Sequence, residues 1–193
     1  EKGSDHTHTS FANPAGAFFI NHEDYEEFYR LYYNAFINKE DLHITEKHKY
    51  CSPILIDFDF RYKLTSKNYI KNGNDKKTLI RIFEYKDIAK LVKIYLTILS
   101  NYVKVNGDIV YVFSKPEPTI ITNKNNPNTI NIGKDGVHIM IPTIITRPSI
   151  QYIVREKCLS LFQPIFEKMG MTNSADDIFD KAVIEKNNWM MYG

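Results

Sequence analysis

Apolar positions along the chain recur with two different periods. Tyr25, Phe28, Tyr29, Tyr32, Ala35 and Phe36 fall at three- and four-residue intervals, which predicts a helix from near Glu23, with Asn21 placed to cap it. Ile88, Leu91, Val92, Tyr95, Leu96, Leu99, Tyr102 and Val103 form a second stripe and predict a helix over 85–105. A third helix opens at Pro148, whose fixed φ suits a first helical position. It carries Ile150, Ile153, Val154, Leu161, Phe162, Ile165, Phe166 and Met169, and Gly170 suits its C-terminal cap. Three segments read as strands: "ILIDFDFRY" (54–62), "DIVYVFS" (108–114) and "VHIMIP" (137–142). The stretches between are polar. Residues 38–52 and the Asn-rich 122–131 read as loops, and 63–81 as an exposed basic loop turning at Asn72-Gly73-Asn74-Asp75. Gly133-Lys134-Asp135-Gly136 reads as a turn into the last strand, and 176–193 as a strand mixed with a turn. Strands and helices alternate loosely, so the expected class is α/β or α+β.

The first strand departs from a plain core segment. Residues two apart on a strand share a face, so Ile54, Ile56, Phe58, Phe60 and Tyr62 form an apolar face. Leu55, Asp57, Asp59 and Arg61 form the other. Side chains two apart start roughly 6–7 Å from each other. Both carboxylates can therefore reach one divalent ion, or bracket a pair of ions ~3.5–4 Å apart. The alternative is that both face water and Arg61 pairs one of them. The apolar run before them puts them at the end of a central strand, where α/β active sites gather.

In "GVHIMIP", His138 lies off the face formed by Val137, Ile139 and Ile141. Gly133, Lys134 and Gly136 before it would admit a close backbone approach by phosphates, although a histidine hydrogen-bonded at a sheet surface has the same pattern. Phe179-Asp180, followed by Val183 and Asn187, supplies another carboxylate, with Asp177 a competitor three residues earlier. Arg61, Lys63, Lys67, Lys71, Lys76, Lys77 and Arg81, against Asp75, could meet nucleic-acid phosphates or form a solvated loop.

Composition narrows little further. A length of 193 residues suits one domain, or one domain of two packed halves, and 43% apolar residues allow a real core. A net charge of +2 leaves the partner open. Two cysteines exclude a Cys-rich structural zinc site and suit a reducing compartment. His6, His8, His22, His43 and His48 lack metal-ligand spacing and read as solvated, with His6 and His8 at most an adventitious metal pair. No apolar run has the length of a membrane span and no signal-peptide pattern is present, so a soluble cytosolic domain is expected. Glu1–Ser4 read as an expression remnant, and the end at "WMMYG" as a cut within a longer chain.

Taken in order, an apolar strand with D-x-D, a strand with x-x-H and then an apolar-Asp pair resemble the three motifs of archaeo-eukaryotic primases. "HTHTSF", "PILIDFDFRY", "FSKPEPT", "KDGVHIMIP" and "DKAVIEKNNWMMYG" resemble the primase part of the primase-helicases of large nucleocytoplasmic DNA viruses, of the asfarvirus, mimivirus and poxvirus kind. The resemblance runs from residue 7 to the end. It implies a two-part primase fold, one part with a sheet like that of the RNA-recognition motif, and a cleft between the parts. Asp57, Asp59 and Asp180 would hold two Mg²⁺ or Mn²⁺ ions, and His138 would contact the phosphates of the incoming nucleotide. The implied reaction is nucleotidyl transfer from nucleoside triphosphates on a single-stranded DNA template. A superfamily 3 helicase would follow in the longer chain, working in the host cytoplasm. Two departures stand out: Gly136 replaces a small hydroxyl residue, and Asn188 and Met191 stand where basic residues follow the third carboxylate. Lys134, Arg61 and Lys186 are, in that order, the candidates for meeting the triphosphate. Two rivals stay open on the residues alone: a D-x-D glycosyltransferase using nucleotide-sugars, and a non-catalytic nucleic-acid-binding module with this fold.

Overall fold

The structure is a computed structural model that describes residues 5–71, 77–121 and 132–191. In chain order its elements are β1 (His8–Ser10), β2 (Gly16–Phe18), α1 (Tyr25–Ile37), β3 (Ile44–Glu46), β4 (Ser52–Lys63), β5 (Tyr69–Lys71) and β6 (Lys77–Leu79). They continue as α2 (Tyr85–Leu99), β7 (Tyr111–Ser114), β8 (Thr119–Ile121), β9 (Ile132–Thr146), α3 (Pro148–Lys168), α4 (Ala175–Ile178) and β10 (Trp189–Met190). The chain divides into two compact units, Glu1–Tyr50 with Glu185–Gly193, and Cys51–Ile184.

In the larger unit β4 and β9 pair antiparallel over nearly their whole length, from Ile54 opposite Ile141 to Lys63 opposite Ile132. β7 and β8 pair with β9 on its other side. Strict alternation decides what each strand buries. Ile54, Ile56, Phe58, Phe60 and Tyr62 of β4 join Val137, Ile139 and Ile141 of β9 in the core. α2 covers that face with Ile88, Leu91, Tyr95 and Leu99, and α3 with Val154, Cys158, Phe162 and Phe166. Phe58 packs edge-on against Phe162, Phe166 and Phe179, with ring centroids 5.2–5.8 Å apart. Such pairs add to the ~2 kcal/mol that burying each ring supplies. The smaller unit is an antiparallel sheet ordered β10-β3-β1-β2, together with α1, which buries no side chain.

All three sheets among the described residues are antiparallel, so of the two expected classes the chain is α+β. The long elements lie where periodicity puts them, and several details differ. α1 starts at Tyr25 after a short 3₁₀ turn over His22–Asp24, and Asn21 makes no side-chain cap. α2 stops at Leu99, so Tyr102 and Val103 follow it; its start is fixed by a reciprocal cap between Glu84 and Asp87. Pro148 opens α3 as expected, and Gly170 (φ +85°) follows its end in the left-handed region. On α3 the stripe is rotated: Ile153 and Leu161 are exposed, while Gln151 and Arg155 are buried. The basic 63–81 segment is not a plain loop. β4 extends to Lys63, and β5 pairs with β6. The turn at 72–75 and Lys76 lie outside the described residues, as do the side chains of Lys71 and Lys77, the 122–131 loop and residues 1–4.

Gly133-Lys134-Asp135-Gly136 is not a turn either; all four residues belong to β9. A side chain at Gly133 would collide with the Tyr62 ring, and a Cβ at Gly136 would lie 2.9 Å from the Phe58 carbonyl oxygen. Both glycines are thus explained by strand packing. His8, read as solvated, is 2% exposed, with its ring 4.8 Å from that of Phe28.

Candidate active site

β4 and β9 present one continuous polar face opposite their core face. Asp57 stands directly across from His138, Asp59 from Gly136, and Arg61 from Lys134. Residues facing each other across an antiparallel pair project to the same side. The His138 Nε2 atom lies 3.4 Å from Asp57 Oδ1, and the Lys134 ammonium lies 3.1 and 3.3 Å from the two oxygens of Asp59. Asp57, Asp59, Lys134 and His138 are each half-buried, whereas Arg61 is exposed. The cation that pairs with an aspartate here is Lys134, and not Arg61 as the alternative reading had it.

Asp180 comes to the same place from the far end of the sequence. After α3 the chain runs back along the other edge of β4. There Tyr62 bridges Met171, the Thr172 amide donates to the Arg61 carbonyl (2.7 Å), and the Asn173 side chain bonds both the Asp59 carbonyl and the Arg61 amide. Phe58 then bridges Phe179, and the Asp180 amide donates to the Asp57 carbonyl at 3.0 Å. The alternation that buries Phe179 with Phe58 leaves Asp180 on the side of Asp57. Asp177 is elsewhere: it lies in the first turn of α4, exposed, with Ser174 Oγ donating to its carboxylate at 2.7 Å.

Arg155 holds this returning segment. It is 1% exposed; its Nε donates to the Phe179 carbonyl, and one terminal nitrogen reaches both the carbonyl and the carboxylate of Asp176, all at 2.8 Å. The guanidinium beside Asp176 holds that carboxyl below its usual range. Arg155 was missed by the sequence reading. Its one signal is a charged residue adjoining Val154 and three residues before Cys158, on a helix face where the only other buried polar residue described is Gln151. Asn173 gave no signal at all.

On the opposite, buried side of β9, Asp135 is fully enclosed and forms a two-pronged ion pair with Arg81 (2.7 and 3.2 Å). Arg81 also donates to Ser114, and its bond to Asp135 raises its own pKa. Arg81 is therefore a structural residue and not a phosphate contact. Lys63 and Lys67 are exposed. Lys186 is exposed and belongs to the smaller unit.

Among the described residues, no three His, Cys, Asp or Glu side chains are gathered ready to hold a metal ion. Asp59 is turned to Lys134, and an Asp180 oxygen accepts the Ala182 amide at 2.8 Å. The fit to a divalent cation therefore rests on donor chemistry and main-chain placement. Three hard oxygen donors, Asp57, Asp59 and Asp180, sit on adjacent positions of one face, the kind of set that Mg²⁺ or Mn²⁺ prefers.

The carboxylates of β4 and the histidine facing them thus lie on one antiparallel sheet of an α+β domain. Residues 7–193 match the family described as the C962R protein N-terminal AEP domain, and the chain belongs to that family of archaeo-eukaryotic primase domains. It is 34% identical, over its full length, to a protein of Acanthamoeba polyphaga mimivirus named "Putative helicase L207/L206", and spans 19% of that protein. It is 24% identical over 98% of its length to "Putative helicase 184R" of Invertebrate iridescent virus 6, spanning 20% of it. The chain thus corresponds to about a fifth of the length of these viral relatives.

Proposed function

We propose that this domain is the primer-synthesising part of a viral primase-helicase, joining nucleoside triphosphates on a single-stranded DNA template. The observation that carries the proposal is the juxtaposition of Asp57 with Asp180 on one side and His138 on the other, with Asp59 next along the strand. Asp57, Asp59 and Asp180 would hold two Mg²⁺ or Mn²⁺ ions. Such ions, when bound, supply a more acidic attacking 3′-hydroxyl and neutralise the leaving pyrophosphate. His138 donates to the phosphates of the incoming nucleotide. Lys134 lies four residues from His138 along β9 and exchanges its contact with Asp59 for the triphosphate. Arg61 and Lys186 are the further cations available. Lys63, Lys67, Lys71, Lys76 and Lys77 hold the template's phosphates. A superfamily 3 helicase in the same longer chain unwinds the duplex ahead of the primase, and the host cytoplasm is the place of action.

The test is primer synthesis on single-stranded DNA with labelled nucleotides, with and without Mn²⁺. Asp57→Ala and Asp59→Ala should each lower the rate on the order of 10³-fold, the equivalent of about 4 kcal/mol. Their melting temperatures should stay level or rise, because both side chains lie off the core face. Near wild-type synthesis by either variant would remove the proposal.

A further inference from the structure

The polar face of the sheet does not stop at His138. β7 is the outermost strand on that side of β9, and Phe113 lies directly opposite His138, Tyr111 opposite Met140. Two rows therefore run across the sheet: Asp57, His138, Phe113, and beside it Leu55, Met140, Tyr111. The Tyr111 and Phe113 rings are nearly parallel, tilted by 17° with centroids 6.3 Å apart, and Tyr111 is 47% exposed. Tyr111 is exposed and Phe113 half-buried, and both lie on the face opposite the one that carries the core.

We infer that Tyr111 and Phe113 form a stacking shelf for bases of a single strand of DNA passing the catalytic row. This rests on the function proposed above. Three features of the face select that occupant. The shelf is continuous with the carboxylate row through His138. It shares the face with Arg61, Lys63 and Lys134, cations of the sign a phosphate backbone requires. It also lies on a sheet face at the outer strand among the described residues, whereas sites for free small molecules are concave. Aromatic side chains on a sheet surface bind splayed bases whatever their sequence, because every base offers a π-face.

The experiment measures binding by fluorescence anisotropy in EDTA, comparing labelled oligo-dT with an abasic strand of the same length. Wild-type protein should prefer oligo-dT on the order of tenfold. Tyr111→Ala and Phe113→Leu should each lose most of that preference while binding the abasic strand within about twofold of wild type, and Tyr111→Phe should retain it. The abasic strand serves as the control for folding, since a damaged fold would lose both. Equal loss on the two strands, no loss, or a wild type indifferent to bases would overturn the shelf. So would a loss confined to binding of free nucleoside triphosphate. Base-dependent binding in a protein that makes no primers would leave the shelf standing and remove the proposed catalysis instead.

Discussion

Asp57 is the residue on which the site closes, because it has a neighbour on either side: His138 through the β9 register and Asp180 through the returning segment. That arrangement separates the two candidates for the third carboxylate. Asp180→Asn should lower primer synthesis at saturating Mn²⁺ by more than about 10²-fold, since it removes a charge from the set proposed to hold the metal ions. Asp177→Asn should leave the rate within about twofold and cost about 0.3–1 kcal/mol of stability, the usual worth of an acid in the first turn of a helix. Equal activity in the two variants, read in the same assay, would show the assignment to be wrong. The sequence carried half of this result. A large apolar residue followed by Asp is legible, because Phe179 must go inward and the next residue outward. That Asp180 lands beside Asp57 is not legible: it depends on bridges to β4 formed more than 100 residues away along the chain, and on Arg155 gripping the Phe179 carbonyl.

At the scale of elements, length decided what could be read. β4 has 12 residues, enough for alternation to fix both faces, and the apolar and charged faces read for 54–62 are the ones it forms; of the 15 residues of β9 only 137–142 read as strand, because the glycines at 133 and 136 mimic a turn. β1, β2, β3, β5, β6 and β8 have three residues each, too few to show a period: β3, β5 and β6 fall in stretches that read as loop, and β1, β2 and β8 in stretches where no strand is expected. β1 hides His8 in this way, and burial lowers the pKa of that imidazole below its ordinary 6.5. The sign of the consequence follows from proton counting. Below 6.5 the unfolded chain takes up a proton that the folded imidazole resists, so stability falls as pH drops through 6.5 and towards the folded pKa, and is recovered above 6.5. His8→Phe, which keeps the ring beside Phe28, should flatten the pH dependence of unfolding of the smaller unit between about pH 5 and 7. Chemical denaturation followed at the β1–β3 amides by NMR measures it; an unchanged slope in the variant would assign the dependence to other groups.

At the scale of the whole molecule, the carboxylates, His138 and the aromatic shelf all ride on the larger unit, which also holds the chain's main apolar core. Its strands bury apolar side chains along their whole central length, and two helices of 15 and 21 residues cover them. The smaller unit has α1, with no buried side chain, and strands of three residues or fewer. Local stability follows buried apolar contact, so the two units should open at different free energies. Native-state hydrogen exchange is expected to find the amides of 54–62 and 133–141 among the slowest of the chain, exchanging only on global unfolding. Amides of α1 should exchange at least about 10²-fold faster, a gap of roughly 3 kcal/mol in opening free energy. The functional consequence is a graded loss. In mild denaturant the smaller unit should open first, while the row formed by Asp57, Asp59, Asp180 and His138 on the larger unit persists and primer synthesis holds. Equal protection across α1 and β4 would mean that the two units open as a single cooperative block.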